Sequence, residues 1–309
     1  MPTLPTDALA FALLAAAAFA GLDLSQKWTA RYAVNAPEPF LVLRFLGGAV
    51  MSPLLLLLPG TVAPRFDGET WWLLPLLVGV NLLGNVLYLR SVYRADISVV
   101  GSLWPLKNFY LPFIALATTG ERFAPVVYAW LMVATVGALG IAYNAKLRFK
   151  ALSDVPVLMM VLLTVPVFAV SDVLFGAVVQ SGVGARWTTV LVSFGIAAVG
   201  VPLLLLLSRV TRTAVADALK SRNGRLGALL TGAFLVAGVY CIGEAFARSR
   251  GVVLVNVFAM LSGLFLLAVN AALPGRLDGA NEGRTTYAVR FAGAVVLVGA
   301  ASALLIANK

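Results

Sequence analysis

The chain has 309 residues, of which 61% are hydrophobic and 12% charged, and its mean hydropathy is +0.96. A soluble domain is nearer half apolar with about a quarter of its residues charged, so composition excludes an ordinary water-soluble fold and predicts an all-α polytopic membrane protein. The net charge of +10 is spread through short connections, where topology signals sit, and does not form a nucleic-acid-binding patch.

Histidine is absent, which removes His-ligated metal sites and His general-base catalysis. The single cysteine, Cys241, removes an intrachain disulfide. No metal, no cofactor and no catalytic set is expected.

A spanning helix needs about 20 mostly apolar residues. Ten such runs fall near 8–28, 38–58, 71–89, 97–117, 125–144, 155–178, 186–207, 226–246, 251–271 and 288–306. Gly, Pro or charged residues punctuate the gaps, and the dyad alternation of a β-barrel is missing. The first run lacks a basic n-region, so it reads as a membrane helix and not a signal peptide. It carries Asp23 and Lys27 at i,i+4 spacing, which places them on one face where they can pair. Trp28 closes it as an interface anchor.

The second run holds Arg44, whose guanidinium suits either a carboxylate ligand or a loop of the bundle. The third opens on Trp71 and Trp72, again at the interface, and carries Asn81, Asn85 and Tyr88 at i,i+4,i+7. A polar stripe on an apolar helix needs a cavity or a partner helix. The fourth run places Lys107 near the helix middle, too deep to snorkel. Trp104 and Tyr110 flank it three residues to either side, and Asn108 follows it. Trp104, Lys107 and Tyr110 together predict an amphipathic wall of one ring, one cation and one hydroxyl.

Small residues crowd the second, fifth and tenth runs: Gly47, Gly48, Gly137, Gly140, Gly293 and Gly299. They are expected mostly at close helix contacts. The sixth and eighth runs carry Asp172 and Glu244. Such a carboxylate suits proton transfer or acts as a permanent counterion of Lys107 or Arg44; residue type leaves both open. Asn256 in the ninth run is expected to line the same space. The stretch near 208–225, with Asp217 as its acidic residue, reads as the longest loop.

The chain repeats itself. An offset of 149 lays Asp23 on Asp172, Phe45 on Phe194 and Pro53 on Pro202. An offset of 153 lays Ser98 on Gly251, and Val99 and Val100 on Val252 and Val253. Five runs per half is an odd number, so two successive units, 1–150 and 151–309, would sit in opposite orientations. Inverted repeats with a binding site where they meet are the plan of many secondary transporters.

With this plan the chain resembles the drug/metabolite transporter superfamily, in its ten-helix type built of two EamA-like units. The resemblance rests on Lys27 closing the first run, Arg44 before the small-residue run LGGAV, Pro105 in SVVGSLWPLKNFYLPF, the Gly120-Glu121-Arg122 signature and the glycine-rich fifth run. The second unit departs from it: Ser193 stands opposite Arg44, Phe258 opposite Pro105, and ALPGRLDG replaces the glutamate signature.

The resemblance implies a multi-pass transporter of the cell membrane, an inner membrane in bacteria, moving small metabolites by alternating access, often outward. The partners implied are a small-molecule metabolite, membrane lipids and protons, without nucleic acid. A monomer is expected, with a dimer as the alternative.

Among the charges near the presumed centre, Arg44, Lys107, Lys27, Arg186 and Arg290 are basic, and Asp23, Asp172 and Glu244 acidic. A basic excess favours a ligand carboxylate or phosphate, hence an organic anion. A balanced site suits an amino acid, and amino acid export is the second expectation. Substrate binding is expected at Lys107, Trp104, Tyr110, Asn108, Asn81, Asn85, Tyr88, Arg44 and Asn256. Coupling or counterion roles are expected at Asp172, Glu244, Asp23 and Lys27.

Odd-numbered connections hold most loop cations, including Lys146, Arg148, Lys150, Arg209, Arg212, Lys220, Arg222 and Arg225. The opposite side holds Arg65, Arg122, Arg248, Arg250 and Lys309. The positive-inside rule then places both termini outside. A membrane enzyme is disfavoured by the missing acid–base set. A channel or lipid-translocating protein without coupled transport is the alternative class, though no filter-like run occurs.

Overall fold

A computed structural model describes residues 4–94, 103–143, 155–249, 251–272 and 284–307. The start of the fourth run with Ser98, Val99 and Val100, the connection with Lys146, Arg148 and Lys150, most of ALPGRLDG, Arg250 and Lys309 lie outside the described residues. Among the described residues there is no strand. Among the same residues six helices are long and apolar enough to cross a membrane: Thr6–Tyr32, Pro37–Leu57, Thr70–Tyr88, Val157–Leu207, Arg222–Ser249 and Thr285–Ala307. Pro125–Ile141 and Val253–Val269 are shorter apolar helices.

Prolines and glycines subdivide these runs. Helix α1 is Thr6–Tyr32 and continues past Trp28. Helix α2, Pro37–Met51, starts with proline, where no N–H is needed. It tightens into a 3-10 helix, Ser52–Leu57, at Pro53. Helix α3 is Thr70–Arg94. A 3-10 turn, Trp104–Leu106, leads into α4, Lys107–Thr118. Lys107 therefore heads a helix at a change of winding, and not the middle of an unbroken one. Helix α5 is Pro125–Ile141.

The 51-residue apolar stretch Val157–Leu207 is not one rod. Helix α6, Val155–Met159, passes through a π turn at Met160–Thr164 into α7, Val165–Val178. A second π turn, Val179–Val183, ends at Gly182, whose φ of 104° only glycine adopts without strain. Helix α8, Gly184–Leu207, follows. The stretch expected to be the longest loop forms α9, Arg209–Lys220, capped by the Ser208 hydroxyl on the Thr211 N–H. Then come α10, Arg222–Ser249, α11, Val253–Ala259, α12, Ser262–Ala272, and α13, Arg284–Ala307.

Helix α1 lies along α10, and α10 also packs on α2 and α8. Helix α3 packs on α7 and α8, and α2 packs on α8. Helix α4 rests on α7, α11 and α12 rest on α1, and α5 pairs with α13. Lipid gives apolar helices little reason to associate, so close backbone approach must contribute.

Glycine supplies that approach at two crossings. A Cβ on Gly47 would collide with the Ala228 carbonyl, and one on Gly232 with the backbone of Gly47. At the α5–α13 crossing, a Cβ on Gly137 would lie 2.6 Å from the Leu297 nitrogen, and one on Gly140 2.8 Å from the Gly293 Cα. Gly48 makes only an ordinary contact, 3.7 Å from Leu235, and Gly299 meets nothing within 4 Å.

Gly232→Leu should therefore force α2 from α10. Overpacking of this kind costs about 1–3 kcal/mol, read as a lower thermal midpoint of the purified protein in detergent. Gly299→Leu should leave the midpoint unchanged.

Candidate functional site

Lys107 meets a carboxylate. Its Nζ lies 2.6 Å from Asp172 Oδ2 on α7, and the two side chains are only 13% and 22% exposed. The 3-10 turn before α4 and the packing of α4 on α7 set this distance. Asp172 is thus the counterion of Lys107. The ammonium is balanced at a depth where a lone charge is costly.

Around this pair the Trp104 ring packs 4.8 Å from Phe168 on α7 and 5.7 Å, edge-on, from Tyr88 on α3. The Asn81 amide donates to the Ser171 hydroxyl at 2.5 Å, tying α3 to α7 beside Asp172. Asn85 is buried and donates to the Asn81 carbonyl at 2.8 Å. The stripe on α3 therefore divides its work. Two amides bond to protein, and Tyr88 presents its ring.

Asn108 is 1% exposed, and its amide nitrogen and oxygen have no hydrogen-bond partner among the described residues. Tyr110 is partly buried and sets its ring edge-on against Phe109 at 5.3 Å, packed on the apolar core. Trp104 and Tyr110 also pack together against the cluster of Leu103, Val157, Met160 and Val165.

Tyr88 links this region to a second set of charges. Arg44 on α2 is desolvated by burial, lies in the field of Tyr88 and Asp23, and its Nε has no hydrogen-bond partner among the described residues. Asp23 lies in the field of Lys27 and Arg44. Asp23 and Lys27 are exposed on α1. Tyr88, Trp104, Lys107 and Asp172 thus form one cluster across α3, α4 and α7, with Arg44 and Asp23 in electrostatic reach of Tyr88.

Two expected residues lie elsewhere. Glu244 on α10 pairs with Arg248, one turn along, and not with Lys107 or Arg44. Arg248 also reaches Asp7 at 3.1 Å and lies 4.3 Å over the Phe11 ring. Asn256 is 1% exposed and donates to the Val252 carbonyl of its own chain segment at 3.1 Å, so it does not line the space. Arg186 and Arg290 are also engaged. Arg186 holds the Leu58 and Pro59 carbonyls and the Thr61 hydroxyl, and Arg290 donates to the Tyr143 carbonyl at 3.1 Å.

Sequence reasoning missed Phe168, Ser171, Arg248 and Asp7 as partners. Only Glu244 and Arg248, at i,i+4, left a local signal. Glu121, in the connection between α4 and α5, accepts the Val252 N–H at 3.5 Å, and its Oε1 is buried without a partner among the described residues. Burial pushes its carboxyl up to about 7.

No family model and no curated protein matches the chain. Its fold does recur among solved structures. One of them, described only as "Crystal structure of protein", superposes with a TM-score of 0.68 over 98% of each chain at 17% identity. At that identity the likeness is one of fold.

Two outcomes test the geometry. Asp172→Asn leaves the Lys107 ammonium without its partner and should destabilise the protein by about 3–5 kcal/mol. Lys107→Met with Asp172→Leu should recover most of that loss, as read by thermal midpoint in detergent. For Glu121, the folded carboxyl titrates near 7 against an ordinary 4.5, so the folded state binds the extra proton. Its contribution to stability is full below about pH 4.5 and is lost as pH rises through about 7. A Glu121→Gln protein should lose that slope in a pH series of thermal midpoints.

Proposed function

We propose that the chain is a secondary active transporter of the cell membrane, built of two inverted five-helix units, 1–150 and 151–309, and similar in plan to the drug/metabolite transporters. The observation that carries this reading is the ion pair between Lys107 of the first unit and Asp172 of the second. Beside it Trp104 packs on Tyr88, which lies in the field of Arg44 and Asp23. Buried, paired charges in a membrane bundle mark ligand or ion pathways by default. Two repeats meeting at such a site is the transporter arrangement.

The pattern of helix contacts supports the repeat. If α1 corresponds to α7 and α3 to α10, the α1–α10 contact maps onto α7–α3, and α2–α10 maps onto α8–α3. The contact of α4 with α7 likewise maps onto that of α11 and α12 with α1. Each unit therefore packs its first helix against the third helix of the other. On this reading the apolar helices number ten, with Gly182 and Gly184 separating two passes of the Val157–Leu207 stretch.

The ligand class follows from which charges remain. Asp172 satisfies Lys107, loop carbonyls satisfy Arg186, and Arg248 satisfies Glu244. Arg44 keeps its Nε without a hydrogen-bond partner among the described residues, in the field of Tyr88 and Asp23, and the Tyr88 ring packs on Trp104. This suits a small metabolite carrying a carboxylate, an organic anion or an amino acid, with Arg44 as the receiving group. Asp172 or Asp23 would release its cation and take a proton as the site changes sides.

The test is a substrate panel in vesicles holding the purified protein, with and without a pH gradient. Lys107→Ala and Arg44→Gln should each cut uptake at least tenfold while the protein still reaches the membrane. Competition by amides or amines as good as by the free acids would replace the carboxylate class with a neutral or cationic one. An ungated, gradient-independent flux would favour the channel reading.

A further inference from the structure

Helix α9 is amphipathic with a fixed seat. Thr211, Val215 and Ala218, at i,i+4,i+7, are 2%, 5% and 5% exposed and pack on α2, α8 and α10. A Cβ on Gly224 would collide with the Ala218 carbonyl, so α9 is held tightly against the first turn of α10. The opposite face is set by the same period. Arg209, Arg212 and Lys220 are exposed, and Arg222 and Arg225 continue the basic surface into α10.

Asp217 is the acidic residue of this stretch, and it lies 3.6 Å from Lys220, both largely exposed. The four arginines have no carboxylate partner among the described residues.

The apolar boundary lies directly beside these cations. Leu206, Leu207 and Val210 are 77%, 75% and 75% exposed where α8 gives way to α9. In a membrane protein such leucines face acyl chains. A surface with lipid-facing leucines below and unpaired guanidinium groups above has the layout of a phospholipid, apolar tail and anionic head. An acidic soluble protein would match the arginines but would leave the adjoining leucines unmatched.

We propose that α9 with the first turn of α10 binds the headgroups of anionic phospholipids in the surrounding leaflet. The arginine forks take the phosphate oxygens, and Leu206, Leu207 and Val210 contact the acyl chains of the same lipid. This inference rests on the chain spanning a membrane and is independent of the transport reading.

The experiment uses the full chain in vesicles of phosphatidylcholine containing a trace of spin-labelled phosphatidylglycerol or spin-labelled phosphatidylcholine. The fraction of motionally restricted label gives relative association. The protein should prefer phosphatidylglycerol, and about 1 M salt, where the screening length is about 3 Å, should abolish that preference. Replacing Arg209, Arg212, Arg222 and Arg225 together by Gln should lower phosphatidylglycerol association about tenfold or more. Replacing the same four by Lys should retain most of it.

The variant Arg65→Gln with Arg122→Gln, exposed cations of other connections, should behave as the unaltered protein. Equal association of the two lipids with the unaltered protein overturns the proposal without needing any variant. A Gln variant that keeps the preference, or a loss as large in the Arg65 and Arg122 control, overturns the assignment to α9.

Discussion

Hydrocarbon cannot solvate a charge, and the interior arrangement of this protein follows from that constraint. A lone ammonium or carboxylate at membrane depth is too costly to leave facing lipid. Lys107 and Asp172 come from distant parts of the chain and meet at 2.6 Å because α4 packs on α7. That packing in turn places Phe168 against Trp104 and Ser171 against Asn81. The pair adds little net stability over an apolar isostere. Its value lies in where it sits, since a pair that can open is a site that can accept a ligand or a proton.

The backbone is the second currency of the bundle. Carbonyl and N–H groups in lipid need internal partners, so deviations from regular winding carry a cost. Such deviations gather where charge is handled. The 3-10 turn Trp104–Leu106 precedes Lys107, and Pro112 leaves the Asn108 carbonyl without its usual helical donor. The π turn Met160–Thr164 precedes the helix that carries Asp172, and a second follows that helix. Irregular helices of this kind have two packings close in energy more readily than rigid rods. The transport proposed above would draw on that property.

Two polar centres divide the charges. One joins α3, α4 and α7 through Tyr88, Trp104, Lys107 and Asp172, with Arg44 and Asp23 in electrostatic reach of Tyr88. The other gathers Asp7, Glu244 and Arg248, with Arg248 lying over Phe11. Asp7 is 59% exposed, so the second centre opens towards the helix ends and is screened by water there. Its contribution to stability is correspondingly modest. The first centre is the more enclosed, and only there do Arg44 and Asn108 keep polar atoms without partners among the described residues. That difference separates a structural clasp from a candidate binding site.

Membrane character was legible from residue order alone, because a length of apolar residues near 20 has no other solvent than lipid. Spacing also revealed local faces: the Asn81, Asn85 and Tyr88 stripe lies on one side of α3, and Asp23 stands one turn from Lys27. Thr211, Val215 and Ala218 carried the same helical period, but arginines on either side made the stretch resemble a loop. Partner choice was not legible. Lys107 had Asp172 and Glu244 as equally plausible counterions, and only packing decided for Asp172, because α10 runs along α1 and keeps Glu244 beside Arg248. Asn256 had the composition of a lining residue, but burial turned its amide onto its own backbone. Spacing within a helix is fixed by 3.6 residues per turn and can be read from one strand of sequence. The pairing of groups more than a helix apart depends on how rigid bodies dock, and that is set jointly by glycine crossings, prolines and every side chain between them.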